Sequence, residues 1–188
     1  MDFKDKAPKM SDEEFKQANQ DSIELLMKRE TDLNQDCVKR ILSEITGEKV
    51  LEVGCGKGYL ARKIARLGLD ITGLDLSIDQ VGKVEGIKLV QGEIEKLPFK
   101  NIEFDTVICT HTIEHIRDPK KALSELRRVC SKRLIIVVPM QMYFKYSFDL
   151  HLQFFPDLNS FIELTGRDKE FKIYNLGGDI YYQEEVSI

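Results

Sequence analysis

The sequence predicts an α/β protein with a doubly wound, mostly parallel seven-stranded sheet, helices on both faces and a C-terminal antiparallel hairpin. Three observations predict it. Short apolar runs alternate with stretches of helical spacing from Lys49 to Pro139. Those runs are apolar throughout, the pattern of strands covered on both faces. The last two runs, FKIYNL and IYYQEEV, leave only a tight turn at Gly177-Gly178 between them, as an antiparallel hairpin requires.

The elements follow in order. Residues 1–10 read as a charged tail, and Ser11 with Glu14 forms an S-x-x-E capping box that opens a helix. A second helix is expected from about 32 to 45, carrying Leu33, Val38, Ile41, Leu42 and Ile45, with Gly47 stopping it. VLEV is a strand, GCGKG a glycine loop, and YLARKIARLG a helix that buries Leu60, Ile64 and Leu67 before Gly68 ends it. ITGLDL is a strand, followed by a short helix from Ser77 with Gln80 completing a capping box. IKLVQG and FDTVICT are further strands. Asp118-Pro119 supplies an N-cap and a first-turn proline for a helix to about Cys130, with Ala122, Leu123, Leu126 and Val129 on one face. The strand RLIIVV ends at Pro139, and one more helix is expected over 157–164. The chain divides into an N-terminal helical segment, 1–48, that suits a lid, and one α/β domain, 49–188.

Composition narrows the function classes. The 188 residues are 42% hydrophobic and 32% charged, ordinary for a globular chain. A formal net charge of -4 argues against nucleic acid as a partner, since phosphate binding needs a basic face. Arg127, Arg128, Lys132 and Arg133 cluster at an expected helix end, where they complement the helix dipole. Cys37, Cys55, Cys109 and Cys130 form no C-x-x-C pair and fit a reduced protein better than a disulfide scaffold. MDFKDKAPKMSDEEF lacks a signal peptide's apolar stretch, and no run approaches a membrane span, so a cytoplasmic location is expected. The oligomeric state is not written in the sequence.

LEVGCGKGYL is the most informative stretch. Gly54, Gly56 and Gly58 sit where a strand turns into a helix, so a ligand can approach bare backbone and helix N-terminal amides. Asp75 ends the next strand, 21 residues after Gly54, where an acid can accept from both hydroxyls of a ribose. A dinucleotide site shares these features, but here the spacing is G-x-G-x-G and Glu52 precedes the first glycine by two residues. A carboxylate there disfavours an anionic pyrophosphate and favours a ligand bearing an ammonium and a sulfonium. That charge pattern belongs to S-adenosylmethionine.

With these motifs in place, the sequence resembles the class I S-adenosylmethionine-dependent methyltransferases, in the subgroup acting on small molecules, quinones and sugars. LEVGCGKG is similar to the family's first motif and GLDLS to its second. GEIEKLPF is similar to the segment G-D-A-x-x-L-P-F, and FDTVICTHTIEHIRDPKKALSEL to the fourth strand and its following helix. The match runs from about Lys49 to Pro139. The resemblance implies a Rossmann-like fold and S-adenosylmethionine as cofactor. It implies that Gly54, Cys55, Gly56 and Gly58 pass beside the methionine part, with Glu52 toward its ammonium. Asp75 would hold the ribose, Leu76 would pack on the adenine, Glu93 and Ile94 would meet its edge, and the Thr110 backbone would meet the ammonium. Glu93 departs from the usual Asp by one methylene, and Cys130-Ser131-Lys132 replaces the usual K-P-G-G turn.

HTIEH, residues 111–115, fits H-x-x-E-H, the inverted zinc-peptidase motif, but that motif needs a longer helix and a third downstream ligand. Only seven residues separate His111 from the Asp118 cap, so no metal is expected and HTIEH is read as the edge of a methyl-transfer site. His111 is the first candidate general base. His151, in FDLHLQFFP, is the second, with Tyr143, Phe144, Tyr146 and Phe148 as an acceptor wall. The expected activity is methyl transfer to an oxygen or nitrogen of a small-molecule acceptor. The rival readings are a catalytically silent binding module, a dinucleotide-binding oxidoreductase and a zinc hydrolase.

Overall fold

The computed structural model describes residues 3–25, 30–79, 85–143, 150–166, 168 and 170–186. Seven strands run β1 Lys49–Val53, β2 Asp70–Asp75, β3 Ile87–Gln91, β4 Phe104–Thr110, β5 Cys130–Pro139, β6 Phe171–Leu176 and β7 Asp179–Glu185. They form one sheet in the order β3-β2-β1-β4-β5-β7-β6, with β7 antiparallel to both neighbours and every other pair parallel. The chain runs outward from β1 to β3, returns to β4 beside β1, and closes on the hairpin. The first reversal opens a crevice beyond the C-terminal ends of β1 and β4, the usual ligand position in such sheets.

Side-chain alternation explains why both faces are covered. Leu51, Val53, Val107, Cys109, Leu134 and Ile136 point to one face and pack with α5 (Pro119–Val129) and α6 (Leu158–Thr165). Val50, Ile71, Ile108, Ile135 and Val137 point to the other and pack with α3 (Gln35–Glu44) and α4 (Tyr59–Ala65). Before α3 lie a short turn, α1 (Phe3–Lys6), and α2 (Asp12–Leu25).

The caps form as expected. Ser11 and Glu14 bond reciprocally, at 3.2 Å and 2.8 Å, ahead of α2. The Asp118 side chain accepts from Lys121 N at 3.0 Å, with Pro119 as the first residue of α5. One expectation changes. The helix over Tyr59–Ala65 stops short of Leu67, which is 55% exposed rather than buried; past Ala65 the chain turns out toward Gly68, whose amide returns to the Ala65 carbonyl at 2.9 Å. Leu33, Cys37, Val38 and Ile41 pack with Leu60, Ile64 and Tyr181, while Phe15, Lys16, Glu30, Thr31, Asp32 and Leu33 line the crevice. The short helix expected after Ser77 falls mainly outside the described residues. The four cysteines are buried and free, and among the described residues no helix is long and apolar enough to cross a membrane.

Candidate functional site

A cavity of about 330 Å³ opens at the ends of β1, β2 and β4. The glycine loop forms its base, pinned by β2, whose Leu74 carbonyl accepts from Gly54 N at 2.8 Å and Cys55 N at 3.1 Å. Gly54 has φ 75°, and a Cβ there would sit 2.0 Å from Thr112 Oγ1. Only glycine lets the loop lie this close to the segment leaving β4. Gly58, with φ 72°, is the N-cap of α4 and does not line the cavity.

Three carboxylates of the site differ in environment. Asp75 brackets the loop, with Oδ2 accepting from Gly56 N at 2.8 Å and Oδ1 from Ser77 N at 3.1 Å. Burial raises its pKa, against the pull of these amides and that of Leu76. A carboxylate has about four lone-pair positions, so it can accept further hydrogen bonds. Glu52 is 3% exposed, and its Oε2 has no hydrogen-bond partner among the described residues. Burial pushes its pKa up to about 8, against a backbone hydrogen bond from Ala61. Glu93 is half-exposed and ion-paired with Lys16 of α2 at 2.5 Å. Leu76, Ile94 and Thr110 complete this half of the wall, and burial pushes the Cys55 thiol up, out of thiolate range. Of the ten expected cofactor residues, all but Gly58 line one cavity.

The other half is built from the end of β4. His111 has φ 47°, and its amide reaches the Val137 carbonyl at 2.9 Å. Its Nδ1 lies 3.5 Å from Glu114 Oε1 and its Nε2 3.4 Å from Asp179 Oδ2, ion-pair distances at which neither contact is aligned as a hydrogen bond. Burial opposes a charge on the ring, but the Asp179 and Glu114 carboxylates overcome it and raise the pKa to about 10. A ring already protonated at neutral pH has no lone pair with which to take a proton. His151 does not line the cavity; its ring meets His115 edge-on at 4.7 Å, and its Nδ1 lies 2.7 Å from Gln141 Oε1.

HTIEH does not make a zinc-peptidase helix. Thr110 ends β4, only Ile113–His115 coil, in a 3-10 turn, and the two imidazoles have different partners. His115 Nδ1 faces the Leu150 carbonyl at 3.2 Å. Of the expected acceptor wall, Tyr143 is half-exposed and meets Phe154 at 5.2 Å, whereas Phe144, Tyr146 and Phe148 lie outside the described residues.

Four contributors carry no local signal in the sequence. Asp179 reads as the residue after a hairpin turn, yet it faces His111 and also accepts from Asn34 Nδ2 at 2.8 Å. Thr112 abuts Gly54, and Lys16 reaches Glu93. Arg117 docks α2 at the cavity mouth, 4.1 Å over the Phe15 ring, with Nη1 2.9 Å from Asp12 Oδ1.

Residues 51–138 match the family described as a methyltransferase domain. Over 95 residues, 46% of this chain, the sequence is 36% identical to the ubiquinone biosynthesis O-methyltransferases of Escherichia coli O7:K1 and Shigella boydii serotype 18. The match spans 38% of the length of those relatives. The fold is shared with a SAM-dependent methyltransferase of Thermotoga maritima described as a possible histamine N-methyltransferase, at a TM-score of 0.66 and 21% identity over 80% of this chain and 87% of that one. It is also shared with a SAM-dependent methyltransferase of Aquifex aeolicus, at 0.62 and 18% over 80% and 89%. Just under half of the chain, residues 51–138, thus resembles a methyltransferase domain.

Proposed function

We propose that this chain moves a methyl group from S-adenosylmethionine to an oxygen or nitrogen of a small-molecule acceptor. One observation carries the reading: Glu52 is a buried carboxylate on the cavity wall with an oxygen lacking a hydrogen-bond partner among the described residues. Such a group is costly without a counter-charge, and the cofactor's ammonium supplies one. A pyrophosphate in its place would be repelled, which weighs against a dinucleotide-binding oxidoreductase.

In this reading Asp75 accepts from the ribose hydroxyls and Leu76 packs on the adenine, with Glu93 and Ile94 at its edge. The glycine loop passes beside the methionine part and the Thr110 backbone meets its ammonium. The bound sulfonium supplies an activated methyl carbon, so much of the rate comes from holding the acceptor in line, worth roughly 7–11 kcal/mol. His111, charged and held between two carboxylates, fixes the end of β4 and orients the acceptor half without taking a proton. His151 remains the candidate to receive the acceptor's proton. Residues before Leu33, with Phe15 and Lys16 on the cavity, act as the lid that excludes water. The ubiquinone-pathway relatives favour an oxygen acceptor.

Titration calorimetry of the metal-stripped chain with S-adenosylhomocysteine, and with NADH as control, tests the cofactor. Micromolar binding of S-adenosylhomocysteine alone is expected. Preference for NADH, or binding of neither, overturns the reading. Binding without methyl transfer to any of a panel of phenols, amines and sugars would leave a silent binding module.

A further inference from the structure

Arg117 follows the 3-10 turn after β4 and is anchored by its neighbours on both sides. The Ile116 carbonyl accepts from Gln153 Nε2 at 2.9 Å, and Asp118 N donates to Glu95 Oε1 at 3.2 Å. From this base the guanidinium reaches the start of α2. Nη1 donates to Asp12 Oδ1 at 2.9 Å, and Nη2 to the carbonyls of Met10 at 3.0 Å and Ser11 at 3.3 Å. The same group lies 4.1 Å over the Phe15 ring, which also stacks on Phe3 of α1 at 5.9 Å.

Two features separate this contact from ordinary helix stabilisation. A cation at a helix N-terminus opposes the macrodipole, so Arg117 does nothing for α2 as an isolated helix. Its effect is to tie α2 to the segment after β4. Second, both ends of the tie lie on the cavity: Phe15 and Lys16 on one side, His115 and Ile116 on the other. Lys16 gives α2 a second attachment at Glu93, but both of those side chains are nearly half exposed and the pair contributes little. Asp12 is 86% exposed and contributes little as well. The two carbonyls and the Phe15 ring, held by a guanidinium that is 26% exposed, supply most of the grip.

We propose that Arg117 is a positioning residue: it holds Phe15 of α2 against the cavity and thereby sets how fast the cofactor enters and its product leaves. The cofactor's part rests on the methyl-transfer reading; the hold on α2 does not. Each contact joins one protein group to another, so loosening them raises the open fraction of α2 with or without a ligand. Association and dissociation then accelerate together, and equilibrium affinity changes little. A residue that touches the ligand, or whose loss distorts the site, would instead speed dissociation alone and weaken affinity in proportion.

Hydrogen exchange of the ligand-free chain tests the hold, and stopped-flow binding of S-adenosylhomocysteine tests its consequence. In Arg117→Ala the α2 amides beyond the first turn should exchange at least about fivefold faster, with those of α3 unchanged. Association and dissociation rate constants should each rise by about threefold to tenfold, with Kd within about twofold of the parent. Arg117→Lys keeps the cation but loses the fork of donors, so it should fall between the two. Phe15→Leu keeps apolar bulk without the ring; it should loosen α2 similarly, and the double variant should add little to Arg117→Ala. Circular dichroism checks folding, and Arg117→Lys with Phe15→Leu decides the matter where Arg117→Ala fails to fold. Unchanged α2 exchange, additive loosening in the double variant, or faster dissociation at an unchanged association rate overturns the proposal. A chain that loosens at α2 yet binds no S-adenosylhomocysteine overturns the cofactor reading and leaves the hold standing, so the two fail separately.

Discussion

Glu52 and Glu114 are both buried carboxylates, one at each half of the same cavity region, and their surroundings push them in opposite directions. Glu52 sits on β1 among apolar side chains; burial dominates and raises its pKa to about 8. Glu114 is buried as deeply, yet His111 and His115 overcome the desolvation and lower its pKa. Glu114 carries its counter-charges with it, whereas Glu52 lacks one until a ligand brings it. The pair shows how one fold keeps a built-in charge network on the acceptor side and an unsatisfied charge on the cofactor side. Substitution should therefore act oppositely on the two.

The largest effect is expected at Glu114. Glu114→Gln leaves the His111 imidazolium buried with only Asp179, and removing one partner of a buried network costs about 3 kcal/mol. Urea unfolding of the metal-free protein should show that loss. A variant as stable as the parent would mean that His111 is not charged in the folded state. Next comes Asp75→Ala, which removes the ribose acceptor and also the partner of Gly56 N and Ser77 N. S-adenosylhomocysteine affinity should fall more than about tenfold, since charge-assisted hydrogen bonds are lost. Unchanged affinity would remove Asp75 from the cofactor site.

The same contrast explains what could be read without coordinates. Glu52, the glycine loop and Asp75 lie within one strand–loop–helix–strand unit, so spacing alone places them together. The apolar runs and the Asp118-Pro119 cap are likewise local. Leu67 was misplaced because its apolar spacing continues the helix while Gly68 draws the chain outward from Ala65. His111 owes its surroundings to residues distant in sequence. Its counter-charge, Asp179, is adjacent only because β7 pairs with β5, with Asp179 opposite Pro139, and β5 pairs with β4. A histidine's protonation depends on such long-range neighbours, and no local pattern encodes them.

Glu52→Gln should separate function from stability. It removes a carboxylate whose ionisation the fold resists, so the ligand-free protein should gain about 1 kcal/mol at pH 8, a few degrees in thermal midpoint. S-adenosylhomocysteine should bind about tenfold more weakly. The pH dependence follows from the same group. The folded pKa lies above the usual carboxylate value of 4.5, so its contribution to stability is complete below that value and is lost as pH rises toward 8. Cofactor affinity moves the other way. The ammonium needs ionised Glu52, so affinity should rise between pH 6 and 8 and level off above, as long as the ligand amine stays charged. The slope should vanish in Glu52→Gln; a slope that survives would assign the titration to another group.

The smallest effect is expected where α2 meets the adenine edge. Lys16 and Glu93 form an ion pair at 2.5 Å, with side chains 45% and 48% exposed, so water and salt screen the attraction. Lys16→Ala should change S-adenosylhomocysteine affinity by about twofold or less, because exposed pairs of this kind contribute little. The direction is informative. If Glu93 receives the adenine amino group, freeing it from Lys16 should tighten binding slightly, while Glu93→Ala should weaken it. A large loss in Lys16→Ala would instead make the α2 contact a true part of the cofactor site, giving the exposed edge an energetic weight comparable to the buried carboxylates behind it.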